Sequence, residues 1–131
     1  MKMEVFVTVS LSLAGLLTFL AGAASAQDWT GYIVDAKCYV SQEQNRNPTD
    51  TDSYANSDVG YEIRVCHPTP KSKTFVFIEQ NGLRYFIDPA GNGRVFDFVH
   101  ANGKKAADLV SVVGTKSPGY HMQLQSIALA P

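Results

Sequence analysis

The chain has 131 residues, of which 45% are hydrophobic, and its 12 acidic and 11 basic residues give a formal net charge of −1. This length suits one small domain with a modest core. The near-neutral charge argues against a nucleic-acid binder, which needs a basic stripe, and against electrostatic docking on an anionic membrane.

The N-terminus has the pattern of a secretory signal peptide. A short, weakly positive start precedes a mostly apolar run over residues 5–20, and Ala24-Ser25-Ala26 provides an A-x-A cleavage site. The alternative is a retained anchor, but the run is somewhat short for a membrane span, which needs roughly 20 apolar residues. We predict cleavage after residue 26, which leaves 105 of the 131 residues, without a membrane anchor, in the periplasm or outside the cell.

The mature chain opens on a predicted strand, residues 29–35. Trp29, Gly31 and Ile33 alternate with residues of the opposite face, which is the periodicity of a strand. A glycine inside a strand predicts a bulge or a close backbone approach, as where a barrel strand bends.

The chain has two cysteines, Cys38 and Cys66. An even number of cysteines in an exported protein predicts a disulfide. Residues 41–59 between them are polar and lack a sustained apolar period, so we predict a long surface loop closed by the disulfide, with room for a helical turn near 41–44. Residues 61–65 fit either a short extended piece or a helical turn that leads into Cys66.

The rest of the chain predicts four more strands and a short helix. Asn81-Gly82 between two β-branched and aromatic runs is a strong hairpin signal, and the last strand changes phase near Ser126, which predicts a bulge. The expected strands are 74–79, 83–88, 107–113 and 120–129, with a helix at 94–101. We therefore predict an all-β fold with one short helix: a single domain, 27–131, forming a five-stranded OB-like Greek-key β-barrel with the helix between strands 3 and 4. An open β-sandwich-like sheet is the alternative.

A set of short motifs carries a family resemblance. The first strand has a Trp-x-Gly-x-Ile-x-Asp-x-x-Cys motif, and the closing part combines residues 100–105, a strand ending at 113–115 and a last strand reaching 126–127. Together they resemble a family of small, exported, uncharacterised bacterial domains that are OB-fold-like, over nearly all of the mature chain. The resemblance implies the fold and export and no established activity. Many members carry several cysteines where this chain has only Cys66, so it implies no shared metal or redox site.

Cys38, Cys66 and His67 are the candidate residues for metal or redox chemistry. Thiolate and imidazole ligands suit zinc or copper, but a zinc site needs about four ligands. The remaining recruits are His100 on the predicted helix and His121 and Met122 on the last predicted strand. We therefore favour a structural disulfide and keep a metal-binding or redox protein as the alternative function.

Catalytic patterns are weak. Asp35 with Asp88 or Asp97 could form a carboxylate pair, but acids at strand ends more often cap helices or face solvent. The sequence lacks the serine-hydrolase, zinc-protease and phosphate-loop motifs. We predict neither a catalytic residue nor a cofactor.

Aromatic side chains suggest a binding surface. OB-folds bind oligonucleotides and oligosaccharides on one barrel face, and charge and export disfavour nucleic acid here. We expect Tyr32, Tyr54, Tyr61 and Arg84 on a ligand face beside the 38–66 loop, with Tyr32 and Arg84 exposed. The predicted function is a non-enzymatic binding or structural module for a small ligand, an oligosaccharide or a peptide; the residues leave the oligomeric state open.

Overall fold

The computed structural model describes residues 25–46 and 56–131. The predicted signal peptide therefore falls almost wholly outside the described residues, as does Tyr54. The described elements, in chain order, are β1 (Gln27–Asp35), α1 (Ala36–Arg46), α2 (Asn56–Val65), β2 (Phe75–Glu79), β3 (Arg84–Ile87), α3 (Pro89–Asn102), a 3-10 helix (Gly103–Ala107), β4 (Val110–Ser117) and β5 (His121–Leu129).

The five strands close into a barrel in the order β1-β2-β3-β5-β4, with β4 pairing back to β1. All neighbouring strands are antiparallel except β3 and β5, which pair in parallel through Phe86–His121 and Ile87–Met122. The prediction of a five-stranded barrel is confirmed, and the open-sheet alternative is wrong.

Gly31 is the point at which β1 passes from one neighbouring strand to the other. It pairs with Val110 of β4 and with Glu79 of β2, so that the two halves of β1 belong to different strand pairs. A Cβ at this position would lie 2.1 Å from the carbonyl oxygen of Ile78. The predicted close backbone approach is confirmed, because no side chain fits there.

Two further local predictions are confirmed. Asn81 and Gly82 lie between the antiparallel strands β2 and β3, and Gly82 has a φ of 90°, which a glycine adopts without strain. In β5 the register slips between the pairs Val113–Ser126 and Gly114–Leu124, which leaves one extra residue, Gln125. This is the bulge expected near Ser126.

The prediction of only one short helix is wrong, because the described residues contain three α-helices. Residues 41–46, expected in a loop with a helical turn near 41–44, continue α1, and α2 begins at Asn56. The Asp35 side chain accepts a hydrogen bond from the Cys38 backbone N–H (3.0 Å), which satisfies one free donor at the start of α1. The third helix, α3, also begins earlier than predicted, because Asp88 caps it at the Gly91 N–H and Pro89 fits its first turn.

The buried apolar residues form two clusters. One fills the barrel interior and includes Phe75, Phe77, Tyr85, Met122 and Leu124. The second lies on the outside of the barrel and joins Val34, Val76 and Ile78 of the sheet to residues of α1 and α2. The domain therefore has a helical layer packed on one outer face of the barrel.

Candidate functional site

The outer face of β1, β2 and β3 is the face on which the ligand residues were expected. Tyr32 pairs with Ile78, and Ile78 pairs with Arg84, so these three positions form one row across the sheet. The structure thus brings Tyr32 and Arg84 to the same face. Helices α1 and α2 pack on this face through Tyr39 and Ile63, and therefore cover it.

Arg84 lies under the helical cover. Its side chain is 7% exposed and forms an ion pair with Glu43 of α1, and its guanidinium is 3.9 Å from a carboxylate oxygen of Glu62 of α2. The expectation that Arg84 faces solvent beside a groove is wrong, because the guanidinium joins the two helices to the sheet.

Tyr39 completes this buried cluster. Its hydroxyl donates a hydrogen bond to Glu43 (3.1 Å), its ring lies 5.2 Å from the Arg84 guanidinium carbon, and it packs edge-on against Phe86 at 6.0 Å. Burial raises the pKa of the Tyr39 hydroxyl; the Arg84 charge opposes this, and the carboxylates of Glu43 and Glu62 reinforce it. The phenol is therefore held in its neutral form.

Cys38 and Cys66 form a disulfide, as predicted, with Cα atoms 5.4 Å apart. The bond ties the first turn of α1 to the residue that follows α2, and the Asp35 backbone N–H donates to the Cys66 carbonyl oxygen (2.8 Å). Both ends of the helical cover are therefore attached to the end of β1. Neither sulfur is a thiolate, so the two thiolate ligands of the metal-site alternative are absent in this oxidised form.

His67 directly follows the disulfide residue Cys66, whereas His100 lies in α3 and His121 opens β5. His67 follows α2 and its Nδ1 is 2.9 Å from the Arg64 carbonyl oxygen, whereas the exposed His100 packs against Phe96 with ring centroids 4.1 Å apart. Met122 is fully buried in the barrel core. Within residues 25–46 and 56–131, no three His, Cys, Asp or Glu side chains are grouped so that they could hold a metal ion.

The carboxylates considered for catalysis have structural contacts. Asp35 and Asp88 both cap helices, and a second hydrogen bond joins the Asp88 carboxylate to the Leu124 backbone N–H (3.0 Å). The capping interpretation is confirmed for Asp35 and Asp88, whereas Asp97 is exposed on α3.

Two aromatic side chains of the barrel, Trp29 and Tyr85, contact the ammonium group of Lys116. The Lys116 ammonium lies 4.5 Å from the centre of the Trp29 ring and 4.6 Å from that of Tyr85, and it pairs with Glu79. Burial lowers the pKa of this amine, but hydrogen bonds to Glu79 and Tyr85 outweigh it and raise the pKa overall. These aromatic rings therefore stabilise the barrel through Lys116.

A groove lies beside α1, next to the covered face. Its volume is about 540 Å³, and it is formed by one side of α1 together with the start of β2, the end of β3 and the first turn of α3. The lining residues are Ala36, Lys37, Val40, Ser41, Gln44, Thr74, Phe75, Phe86, Ile87 and Asn92. It combines an apolar floor with amine, hydroxyl and amide groups at its edge.

Of the predicted ligand residues, Tyr54 lies outside the described part of the chain, and the three described ones do not line this groove. Tyr32 and Tyr61 are half-buried, and Arg84 is buried under the cover. Sequence reasoning missed Lys37, Val40 and Ser41 because it allowed only a helical turn near 41–44 in a long loop and did not predict a helix from residue 36. The available signal was Asp35, a helix-capping residue directly before a stretch without glycine or proline.

Comparison with known proteins gives no relative. No family model, no curated protein and no solved structure matches this chain. Among the residues that the structure describes, no helix is both long and apolar enough to cross a membrane.

Proposed function

We propose that the chain is a disulfide-stabilised, non-enzymatic binding module that acts after export, in the periplasm or outside the cell, on a small ligand, an oligosaccharide or a peptide. The observation that carries this proposal is the groove of about 540 Å³ beside α1. Its volume falls in the range of about 300–1,000 Å³ that small-molecule sites occupy.

We further propose that the barrel is OB-like. The support is the strand order β1-β2-β3-β5-β4, the parallel pairing of β3 with β5, and the position of α3 between β3 and β4 in the chain. In such barrels ligands contact β2, β3 and neighbouring loops. Here α1 and α2 cover most of that face, so the groove at the edge of the cover takes its place.

The chemistry of the groove favours a ligand with both apolar and hydrogen-bonding groups. Phe86 and Ile87 contribute an apolar floor, and Val40 leaves 38% of its surface exposed at the side. Lys37 and Gln44 supply donors, and Gln44 also supplies an acceptor. Sugars and short peptides present this combination of apolar faces and polar edges.

The wall of the groove is held in place before any ligand binds. The disulfide and the Asp35 cap hold the first turn of α1, and Tyr39 packs against Phe86 on the covered side of the same helix. A preorganised wall loses little conformational entropy on binding, which favours affinity. The disulfide also supports export, because such bonds persist in oxidising compartments.

Val40→Asp tests the groove directly. A library of small sugars, short peptides and metabolites would be screened by chemical-shift changes in the isotope-labelled protein, and the strongest hit titrated. We expect shifts at α1, at the end of β3 and near Asn92, and a loss of affinity of about tenfold or more in Val40→Asp, because the carboxylate disrupts an apolar contact.

Val65→Asp is the matched control. Val65 is 42% exposed at the end of α2 and does not line the groove. The Val65→Asp variant should bind the strongest hit with wild-type affinity. Both variants should retain the wild-type spectrum away from the substituted residue. Equal affinity of all three proteins, or shifts confined to other surfaces, would refute the groove as the site. Deleting residues 42–58 is a poorer test, because it also removes Glu43 from Arg84.

The metal or redox alternative has its own test. Titrating thiols in unreduced, denatured protein purified from an exporting host should detect none, because Cys38 and Cys66 are joined. Two free thiols per chain would restore the alternative built on Cys38, Cys66 and His67.

A further inference from the structure

A second cavity, of about 510 Å³, lies between the loop after α2 and the end of α3. One wall is His67, Pro68, Thr69 and Pro70, and the other is Val99, Gly103, Lys104 and Ala107. It shares no lining residue with the groove beside α1. The two are therefore separate sites.

The loop wall of this cavity is rigid and mostly apolar. Pro68 and Pro70 restrict the backbone. Two hydrogen bonds join Thr69 to Ser72. The Ser72 hydroxyl accepts from the Thr69 N–H (3.0 Å), and the Ser72 N–H donates to the Thr69 carbonyl oxygen (3.0 Å). The Thr69 hydroxyl also accepts from the Lys71 N–H (3.2 Å). An apolar ligand would thus enter a preformed space.

Basic residues outnumber acidic ones in the segments that form the cavity. Its lining includes His67 and Lys104, and the two segments, residues 66–75 and 99–108, also contain Lys71, Lys73 and Lys105 against a single carboxylate, Asp108. In a chain whose formal net charge is −1, this is a local concentration of positive charge. The surface here attracts anions.

We propose that this cavity binds a small amphipathic anion, with its apolar body against Pro68, Val99 and Ala107 and its anionic head near Lys104 at the edge. The apolar lining supplies the driving force for the body, and the lysine supplies a charge-assisted hydrogen bond to the head. A medium-chain carboxylate has both parts. A simple inorganic anion lacks the apolar part, and a fatty alcohol lacks the charge.

Three probes distinguish these contributions: octanoate, 1-octanol and acetate, each titrated into isotope-labelled full-length mature protein at fixed pH and ionic strength. We expect octanoate to shift the amide signals of His67, Thr69, Val99, Gly103 and Lys104. Octanol should bind about tenfold more weakly, and acetate should produce no saturable shift at these residues. Octanol binding as tightly as octanoate, or octanoate shifts confined to other surfaces, would overturn the proposal.

Lys104→Glu tests the position of the head. We expect it to weaken octanoate binding by about tenfold, since it replaces attraction by repulsion at the cavity edge. Lys71→Glu makes the same charge change on a neighbouring exposed lysine that does not line the cavity, and should change the affinity by less than about twofold. Equal effects of both substitutions would show a diffuse basic surface instead of a site.

This proposal is independent of the groove beside α1. The Val40→Asp variant should bind octanoate with wild-type affinity, because Val40 lies in the other site. If Val40→Asp abolished octanoate binding while Lys104→Glu did not, the anion site would belong to the groove and this inference would be wrong.

Discussion

The most direct test of how the helical cover is attached is Arg84→Met. Methionine retains an unbranched apolar side chain but removes the guanidinium that contacts Glu43 and Glu62. The side chains of these residues are 7%, 15% and 1% exposed, respectively, so the variant deprives two largely buried carboxylates of this cation. Removing one partner of a buried ion pair costs about 3–5 kcal/mol.

We expect the free energy of unfolding to fall by about 3 kcal/mol, the lower end of that range, because Glu43 retains some contact with water. Domains of this size have about 5–15 kcal/mol in total, so the loss should be easily measured. With an m-value of roughly 1.5 kcal/mol per molar urea, the midpoint of unfolding should drop by about 2 M.

Two comparisons complete the test. Arg94→Met makes the same substitution at an exposed arginine that donates to the Leu124 carbonyl oxygen. It should lower the free energy of unfolding by less than about 1 kcal/mol. Combining Arg84→Met with Glu43→Gln and Glu62→Gln should recover part of the loss, because no buried charge remains among the three. A loss below about 1 kcal/mol in Arg84→Met would refute the buried-cluster interpretation.

Three other outcomes are expected from urea denaturation. Gly31→Ala should lower the free energy of unfolding by about 3 kcal/mol, because its Cβ meets a backbone carbonyl. Gly93→Ala has no atom within 4 Å of the new Cβ and should raise the free energy of unfolding by about 0.5–1 kcal/mol by stabilising α3. Equal effects of the two substitutions would contradict the close approach at Gly31. Replacing Cys38 and Cys66 with serine should lower the free energy of unfolding by about 3–4 kcal/mol. An unchanged urea midpoint of unfolding would show that the disulfide does not constrain the unfolded chain. Because the pKa of Tyr39 is raised in the folded state, the unfolded chain loses the phenol proton at a lower pH than the native protein does. The free energy of unfolding should therefore fall by up to about 1.4 kcal/mol per pH unit above about pH 10. Tyr39→Phe should lack this dependence on pH.

The barrel was predictable because its strands are determined by local signals that the fold does not override. Alternating β-branched and aromatic residues mark β2 and β3, Asn81-Gly82 marks their turn, and Gly31 marks the place where β1 bends. The phase change in β5 was visible as well, since a bulge shifts which residues face the interior. These features depend on neighbours in sequence or on the period of a strand.

The helical cover was not predictable by the same reasoning. Hydrophobic periodicity identifies a helix by an apolar stripe, but the inward face of α1 carries Glu43, four residues after Tyr39, and that of α2 carries Glu62. Their partner, Arg84, is 41 residues from Glu43 in the chain. A helix that packs through a buried ion pair resembles a polar loop when its partner is unknown.

The same buried charges explain why the groove, and not the outer face of β1, β2 and β3, is accessible to a ligand. An apolar contact between α1 and β3 would tolerate sliding, whereas Arg84 must keep Glu43 and Glu62 within reach or leave a charge in a dry environment. The cluster therefore holds α1 in one position relative to β3. That position also determines where Val40 on α1 stands relative to Phe86 on β3, and both residues line the groove. Loosening the cluster by Arg84→Met should thus weaken ligand binding even though Arg84 does not line the groove, while octanoate binding near Lys104 should be unaffected.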